Sequence, residues 1–397
     1  MKTTRRIGVL LLAVFMGFGL LIGCSNQQPS ASETPSENVS PPAESEAPAE
    51  PTQPERKKVG VIIWSTDDGL SSAVKRILDY AGEALNIEVQ YKTGDFDTEA
   101  QVKAAENFVA AGVDGILCVP LIDSGIPKIY QVCEDAQIPY VQAFRRIDDP
   151  DNAAMMETAP YFLGYTVENE EKAGYDLLQI LADAGGTTVG CIYNAPGSSF
   201  ADRRKAGIEK GLSEGIAEKV AEFTLPLSPT SEAWVESTNN FINTYPELNG
   251  IIMTSGSVGG AEASIATIMK NNAVGKVKMV TFDQPANSEE AFEQGILVGL
   301  ATGTYTDALY SFIIMANALQ GNPLSDEPVK IDANYIYIKN LEDASNYKEY
   351  IDGEGVYPYT QEEIQQMTKF YNPDFTAEDL QEIASQWTME DILAKVK

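Results

Sequence analysis

Short apolar runs rich in β-branched residues alternate along the chain with longer stretches in which apolar residues recur at helical spacing. The first apolar runs predict buried strands: VGVIIW (59–64), IEVQYKT (87–93), GILCVP (115–120) and IPYVQAF (138–144). The stretches between them predict helices, which include 70–85 and 98–111. Strands that alternate with helices in this way favour a parallel, doubly wound α/β sheet.

The same order of elements begins again near residue 188. The second set predicts four strands and three helices: TVGCIYN (188–194), VAEFTLP (220–226), GIIMTS (250–255) and VKMVTFD (277–283), with helices at 200–213, 232–244 and 260–271. The stretch 106–120 can also be laid over 239–255, which is two residues longer. We therefore expect an α/β protein with two doubly wound parallel-sheet lobes of one architecture.

The segment after the second set is too short for a third lobe. It predicts a helix at 306–320 and one strand, VKIDANYIYIKN (329–340). We expect the chain to recross between the lobes near Thr302 and again near Pro328, so that three crossings form a hinge. The predicted boundaries are 58–163 with about 304–327 for lobe one, and 164–303 with about 328–340 for lobe two.

Residues 341–397 have a different pattern, with short amphipathic helices. Three segments match the capping box or its aspartate variant, which opens a helix: Thr360 to Glu363, Thr376 to Asp379 and Thr388 to Asp391. Six aromatic residues there need a surface to bury them: Tyr357, Tyr359, Phe370, Tyr371, Phe375 and Trp387. We expect a C-terminal helical extension that docks on one lobe.

The first 23 residues have the pattern of a secretory signal, because Lys2, Arg5 and Arg6 precede an uncharged apolar run. The run ends in Leu-Ile-Gly-Cys at 21–24, which resembles the lipobox of bacterial lipoproteins. That resemblance implies cleavage before Cys24 and a lipid on its sulfur. A membrane span that ends in cysteine is the alternative. We expect an extracytoplasmic protein that is lipid-anchored to the cell membrane.

Residues 24–57 join this anchor to the first strand. The segment is rich in Pro, Ser and Glu and has no aromatic residue. Such a composition cannot bury enough apolar surface to offset its chain entropy. We expect a disordered linker.

Charge and residue content exclude several functions. The chain has 58 acidic and 28 basic residues, a net charge of -30, and its basic residues form no run longer than Arg56-Lys57-Lys58. Nucleic acid is therefore not expected as a partner. The chain has no histidine, which excludes Ser-His-Asp and Cys-His catalysis and the commonest zinc ligand set. No metal or cofactor is predicted, and we expect a monomer.

Cys118, Cys133 and Cys191 each lie in an apolar context. Buried free thiols are the favoured state, and a bridge between Cys118 and Cys133 is the alternative.

Candidate binding residues follow the predicted strands, since ligands of open α/β sheets bind beyond the carboxyl ends of strands. Aromatic, acidic, hydroxyl and arginine side chains together suit a small polar ligand with several hydroxyl groups. The predicted ligand-binding residues are Trp64, Ser65, Asp68, Asp123, Ser124, Arg145, Phe200, Arg204, Ser255 and Asp283.

Several of these segments resemble the type I periplasmic solute-binding proteins of the ribose and galactose kind, over about residues 58–340. GDFDTEAQ (94–101) is similar to the family's Asp-x-x-x-Gln segment. Three further matches, IPYVQAFR, DRRKAG and TFDQ, place Arg145, Arg204 and Asp283 on the family's ligand-binding positions. The resemblance implies a binding protein that delivers a sugar-like ligand to the permease of an ABC transporter.

The chain also departs from that family. Phe144 stands where the family has an acidic residue, Ser255-Gly256 replaces Asn-Asp, and TDDGL (66–70) replaces Asn-Pro-Phe-Phe. Half of the polar set that reads a sugar is therefore absent, and two arginines suit a carboxylate or a phosphate equally well.

Two other functions stay open at this stage. The lobes could present a ligand to a membrane sensor for chemotaxis or a two-component system. A carboxylate-based glycosidase using Asp67, Asp68 or Asp283 is the less favoured alternative.

The neighbours Arg145 and Arg146 are expected to differ in role. We expect Arg145 to contact ligand and Arg146 to pair with Asp148 or Asp149 at the surface. The alternative is that both arginines form surface ion pairs.

Overall fold

The computed structural model of the protein describes residues 53–65, 68–94, 96–353 and 355–396. The predicted signal peptide, Cys24 and nearly all of the predicted linker lie outside the described residues. Asp67 lies outside them as well. Within the described ranges, no helix is both long enough and apolar enough to cross a bilayer.

Two six-stranded sheets form the framework. The first sheet has the order β11-β5-β4-β3-β1-β2, with β1 Lys57–Ile63, β2 Ile87–Thr93, β3 Gly115–Cys118, β4 Tyr140–Ala143, β5 Phe162–Glu168 and β11 Val329–Ala333. The second has the order β12-β10-β9-β8-β6-β7, with β6 Thr188–Tyr193, β7 Glu218–Thr224, β8 Gly250–Met253, β9 Lys278–Phe282, β10 Leu297–Thr302 and β12 Ile336–Ile338.

Helices cover the faces of both sheets. Those packed on the first sheet are α1 Gly69–Leu85, α2 Thr98–Ala110, α3 Ile126–Ala136, α4 Pro150–Glu157 and α10 Tyr305–Leu319. Those that belong to the second sheet are α5 Glu170–Asp183, α6 Ser199–Ser213, α7 Ser231–Thr244, α8 Gly260–Lys270 and α9 Ser288–Glu293. The last four, α11 Leu341–Tyr350, α12 Gln361–Gln366, α13 Ala377–Ser385 and α14 Met389–Val396, form the C-terminal extension. The predicted α/β class with two parallel-sheet lobes and helical extension is confirmed.

The two sheets have the same strand order once the elements are matched in sequence. Strands β1 to β5 correspond to β6 to β10, and β11 corresponds to β12. The stretches 106–120 and 239–255 both end a helix and enter the third strand of a lobe, β3 or β8. The similarity between those segments therefore reflects equivalent positions in two related halves.

The lobe boundaries differ from the predicted ones. Residues 164–168 were expected in lobe two, but they are part of β5, which pairs with β4 in the first sheet. The single strand expected at 329–340 is two strands in different sheets, because β11 pairs with β5 and β12 pairs with β10. The chain therefore passes between the lobes at 168–170, 302–305 and 333–336.

The direction of β12 follows from this path. Parallel strands of both sheets point their carboxyl ends toward the gap between the lobes, so a chain that leaves β11 enters the second sheet from the gap. It must then run against its neighbour, and β12 is antiparallel to β10 whereas β11 is parallel to β5. Burial alternates through Val329–Ala333 and changes phase at Tyr335 and Ile336, both of which are buried.

The C-terminal extension contacts both lobes, and the prediction that it docks on one lobe is wrong. Asp352 forms an ion pair with Arg76 of α1, whereas Lys348 bonds Glu289 of α9 at 2.8 Å. The indole of Trp387 donates to the Gly303 carbonyl at 3.0 Å, within the second crossing. The reason is that Trp387 and Tyr359 are buried against Tyr305 and Tyr310 of α10, the helix that follows the second crossing. Of the three predicted capping boxes, those at Thr360 and Thr376 are present, and at the third the Asp391 amide donates to the Thr388 hydroxyl.

The three predicted thiols Cys118, Cys133 and Cys191 are buried and free. The alternative bridge between Cys118 and Cys133 is not formed, and both side chains pack in an apolar cluster of lobe one.

Helices α5 and α6 pack unusually closely because glycine lies at their contact. A Cβ atom on Gly174 would overlap the carbonyl of Arg204, and one on Gly207 would overlap the carbonyl of Glu171. This approach brings Glu170, at the start of α5, against the side chain of Arg204 on α6. The glycines therefore set the geometry of a charged pair at the centre of the molecule.

We expect Gly207→Ala to lower the free energy of unfolding by about 1–3 kcal/mol, because the added methyl group must push the two helix backbones apart. Chemical denaturation measures the effect. Gly69→Ala is the matched control, since a Cβ at Gly69 meets no atom within 4 Å and should leave stability unchanged. Equal stability of the two variants would contradict the close helix contact.

Candidate functional site

A cavity lies where the carboxyl ends of both sheets face each other. Its empty volume, which includes the opening to solvent, is about 830 Å³. The lobe-one wall includes Trp64, Phe144 and Arg145, which follow β1 and β4. The lobe-two wall includes residues that follow β6, β8 and β9, and Glu170 and Thr304 line the cavity from the crossings.

Arg145 lies in this wall with 8% of its surface exposed. Its Nε donates to the Pro120 carbonyl at 3.0 Å and one Nη donates to the Phe144 carbonyl at 3.1 Å. It forms no ion pair with any carboxylate of the described ranges. Burial lowers the pKa of Arg145 to about 10, against the opposing effects of Asp123 and Glu170. A guanidinium has five N–H groups, so this one keeps donors for a further partner.

Arg204 has nearly complete hydrogen bonding from the protein. Its Nε donates to Glu170 Oε2 at 2.7 Å, and its two Nη atoms donate to the Thr254 carbonyl at 2.8 Å and the Tyr335 hydroxyl at 2.6 Å. The Tyr335 hydroxyl in turn donates to Glu170 Oε2 at 2.5 Å. Burial opposes its charge, but Glu170 and Tyr335 raise the pKa of Arg204 above its ordinary value.

Phe200 links the two arginines. Its ring centre is 4.1 Å from the guanidinium carbon of Arg145 and 4.8 Å from that of Arg204. The Arg204 guanidinium also lies 3.8 Å from the ring centre of Phe282. Cation–π attraction to these aromatic rings therefore helps to hold both guanidinium groups in place.

Asp283 follows β9 at the corresponding edge of lobe two. Its backbone is left-handed, with φ 64°, and its carboxylate accepts from the Ser255 hydroxyl at 3.4 Å. The Ser255 hydroxyl is 2.9 Å from that of Ser257, which extends the polar chain along the cavity. Burial raises the pKa of Asp283, and nearby Arg204 opposes that effect.

The lobes contact each other at the cavity rim. The Asp123 amide donates to the Gly197 carbonyl at 3.0 Å, and the Ser199 amide donates to Asp123 Oδ1 at 3.2 Å. Arg203 forms a bidentate pair with Asp148 across the same gap, with N–O distances of 2.6 and 2.7 Å. Burial raises the pKa of Asp123. These polar bonds join the lobes in a closed arrangement.

Six of the ten predicted binding residues line one cavity. They are Trp64, Arg145, Phe200, Arg204, Ser255 and Asp283. Asp68 lies in an adjoining recess and accepts from the Trp64 indole at 2.6 Å. Asp123 bonds the opposite lobe as described, and Ser65 is half-buried outside the lining. Ser124 is exposed in the turn Asp123–Gly125 and lies outside the cavity lining, so the structure does not bring it together with the other predicted residues.

Arg146 forms a surface ion pair, but its partner is Asp332 of β11 at 2.7 Å. The predicted partners bond other groups, because Asp148 pairs with Arg203 and Asp149 caps α4 by accepting from the Asn152 amide.

Two charged or polar residues of the site were missed by the sequence analysis. Glu170 holds Arg204, and Tyr335 bonds both of them. Both residues lie at crossings between the lobes, the first after β5 and the last before β12, and neither crossing was located correctly. Because residues 329–340 were interpreted as one strand, Tyr335 was not predicted to lie at a crossing between the lobes.

A buried pair of carboxyl groups lies at the hinge, with Glu168 at the end of β5 and Asp307 in the first turn of α10. Within the described chain, Glu168 Oε1 and both carboxyl oxygens of Asp307 have no hydrogen-bond partner. Burial raises the pKa of Asp307 to about 8 and that of Glu168 well above its usual range, which the Asp307 charge raises further. The pair therefore holds a proton at neutral pH.

No group of three or more His, Cys, Asp or Glu side chains suited to a metal ion occurs among the described residues.

Comparison with known proteins places this geometry in a family. The profile of the periplasmic binding protein domain matches residues 59–323. The xylitol-binding protein of Mycolicibacterium smegmatis is 22% identical over 339 residues, which cover 85% of each chain. This chain belongs to the periplasmic binding protein family, and its two-lobe fold is that of the type I class.

Solved structures have the same fold. One is a solute-binding protein from Actinobacillus succinogenes with bound D-allose, with TM-score 0.64, 18% identity and coverage of 74% of this chain and 100% of that one. Another is a solute-binding protein from Agrobacterium vitis with α-D-tagatopyranose, with TM-score 0.64, 18% identity and coverage of 76% and 99%.

We expect the free energy of unfolding to fall as pH rises from about 4 to about 8, in part through Asp307. The unfolded carboxyl releases its proton near its ordinary pKa of 3.8, whereas the folded one keeps it to about 8, so the folded state binds more protons across that window. Asp307→Asn should reduce this slope, as measured by denaturation at several pH values. The exposed Asp374→Asn control should keep the slope of the unmodified protein, and an unchanged slope in Asp307→Asn would contradict the buried proton.

Proposed function

We propose that this protein is an extracytoplasmic solute-binding protein that closes its two lobes on a small polar, sugar-like ligand and delivers it to the permease of an ABC transporter. A lipid on Cys24 would hold it at the membrane, with the segment before β1 as a linker. Membership of the periplasmic binding protein family supports the class.

The observation that carries the proposal is the state of Arg145. A buried guanidinium that bonds two backbone carbonyls, with no carboxylate partner in the described chain, is costly unless another acceptor completes its hydrogen bonding. Arg145 lines a cavity that the opposite lobe also lines. A ligand hydroxyl, carbonyl or carboxylate oxygen supplies the missing acceptor.

The polar groups of the opposite wall suit a ligand with hydroxyl groups. Asp283 accepts hydrogen bonds, and the hydroxyls of Ser255 and Ser257 both donate and accept. Xylitol, named for one relative, and allose and tagatose, bound in two similar structures, share this chemistry. Neutral sugars and polyols are therefore the first ligand class to test.

Lobe closure explains how such a ligand is held. Three crossings make a hinge, and the rim bonds of Asp123 with Ser199 and of Asp148 with Arg203 form only when the lobes meet. Ligand between the walls adds contacts to both lobes at once and so favours the closed state.

We expect Arg145→Gln to weaken ligand binding by roughly ten- to a hundredfold, since a charged hydrogen bond contributes about 1.5–3 kcal/mol. A panel of neutral sugars, polyols and sugar acids, screened by thermal shift and followed by calorimetry, identifies the ligand and measures the change. Arg56→Gln is the matched control, because Arg56 is 67% exposed and pairs with Glu88 away from the cavity.

Folded protein whose stability no member of the panel alters would contradict the binding function. Unchanged affinity in Arg145→Gln would remove Arg145 from the site. Conversion of the bound compound to a product would contradict a transport role and favour an enzyme.

A further inference from the structure

Phe144 occupies a backbone position that is unfavourable for an aromatic residue. It follows β4 with φ 65°, and Asp283, at the corresponding position after β9, has φ 64°. The left-handed region is unfavourable for an ordinary L-residue, whereas aspartate and asparagine adopt it more readily. The backbone alone therefore favours a small polar residue at position 144, as at position 283.

The side chain of Phe144 offsets this cost by packing at the cavity. It is 6% exposed and lies edge to face with Trp64, with ring centres 6.0 Å apart and planes at 87°. The Trp64 indole N–H is already bonded to Asp68, so Trp64 presents carbon atoms to the cavity.

The two walls of the cavity consequently differ in chemistry. Leu121 and Ile122 continue the apolar surface of Trp64 and Phe144, and Arg145 is the charged group on that lobe-one wall. The opposite wall is mixed, with the polar groups of Ser198, Ser255, Ser257 and Asp283 beside apolar Phe200, Pro226 and Leu227. The buried hydroxyl of Ser198 has no hydrogen-bond partner within the described residues, which leaves it available to a ligand.

We infer that Phe144 determines specificity, and that the site selects a sugar or polyol in which one face or end lacks a hydroxyl group, such as a 6-deoxyhexose. The polar side of this ligand faces Asp283 and the serines, and its C–H-rich side lies on Phe144, Trp64 and Ile122. This inference rests on the proposed binding function and narrows its ligand class.

A hydroxyl group turned toward Phe144 and Trp64 would lose its water and find no hydrogen-bond partner on those two side chains. That loss costs about 1–3 kcal/mol, which corresponds to a preference of about fivefold to a hundredfold for the deoxygenated compound. At position 144, asparagine fits the left-handed backbone and supplies both a donor and an acceptor. Phe144→Asn should therefore admit the hydroxylated compound.

The experiment compares matched pairs by calorimetry: L-fucose with L-galactose, D-fucose with D-galactose, and L-rhamnose with L-mannose. The unmodified protein should bind the deoxy member of at least one pair about fivefold or more tightly. Phe144→Asn should reduce or reverse that ratio. Phe370→Asn, in the extension and outside the cavity lining, is the matched control and should preserve it.

Tighter binding of the hydroxylated member of every pair that binds would overturn the inference while leaving the binding function intact. An unchanged ratio in folded Phe144→Asn would overturn the role of Phe144. If Phe144→Asn does not fold, the ratio in the unmodified protein still decides the ligand class. Absence of binding to any sugar, polyol or sugar acid would overturn this inference together with the proposed function.

Discussion

The buried ion pair between Glu170 and Arg204 is the interaction on which the site depends. Glu170 begins α5 directly after the chain has crossed from lobe one, and Tyr335, which bonds both partners, lies in the last crossing. The pair therefore joins two of the three hinge segments to α6. Glycine contacts between α5 and α6 allow the approach, and the stack through Phe200 extends the order to Arg145.

The two arginines of the site differ in their hydrogen-bond partners. Arg204 is neutralised by Glu170 and supports the wall, whereas the hydrogen bonds of Arg145 within the described residues go to backbone carbonyls. Removing a buried charge from water without a counter-charge is unfavourable, so Arg145 is the group whose environment a ligand improves most. The related halves of the fold thus differ at one cavity: lobe one supplies Trp64, Phe144 and the Arg145 charge, and lobe two supplies Asp283 and the serine hydroxyls.

Sequence patterns located most of the strands and the residues that directly follow them. Arg145 and Asp283 could be found because strand ends in parallel sheets lie on one edge. Arg204 lies on α6 and was identified through the resemblance of DRRKAG to the family. The crossings could not be placed, since β5 and β11 look like any buried strand and their sheet is decided by tertiary pairing. Glu170 and Tyr335 were missed for that reason. The partner of Arg146 and the contacts of the extension with both lobes depend on residues far apart in sequence, which local periodicity does not report.

The most direct measurement is the unfolding free energy of Glu170→Leu, alone and combined with Arg204→Met. The single change leaves a buried guanidinium without its carboxylate and should cost about 3–5 kcal/mol, whereas the double change should recover most of that loss by removing both charges. Ligand affinity should fall in the single variant as Arg204 and Phe200 lose their fixed positions. A single variant within about 0.5 kcal/mol of the unmodified protein, with unchanged ligand affinity, would contradict the central role of this pair.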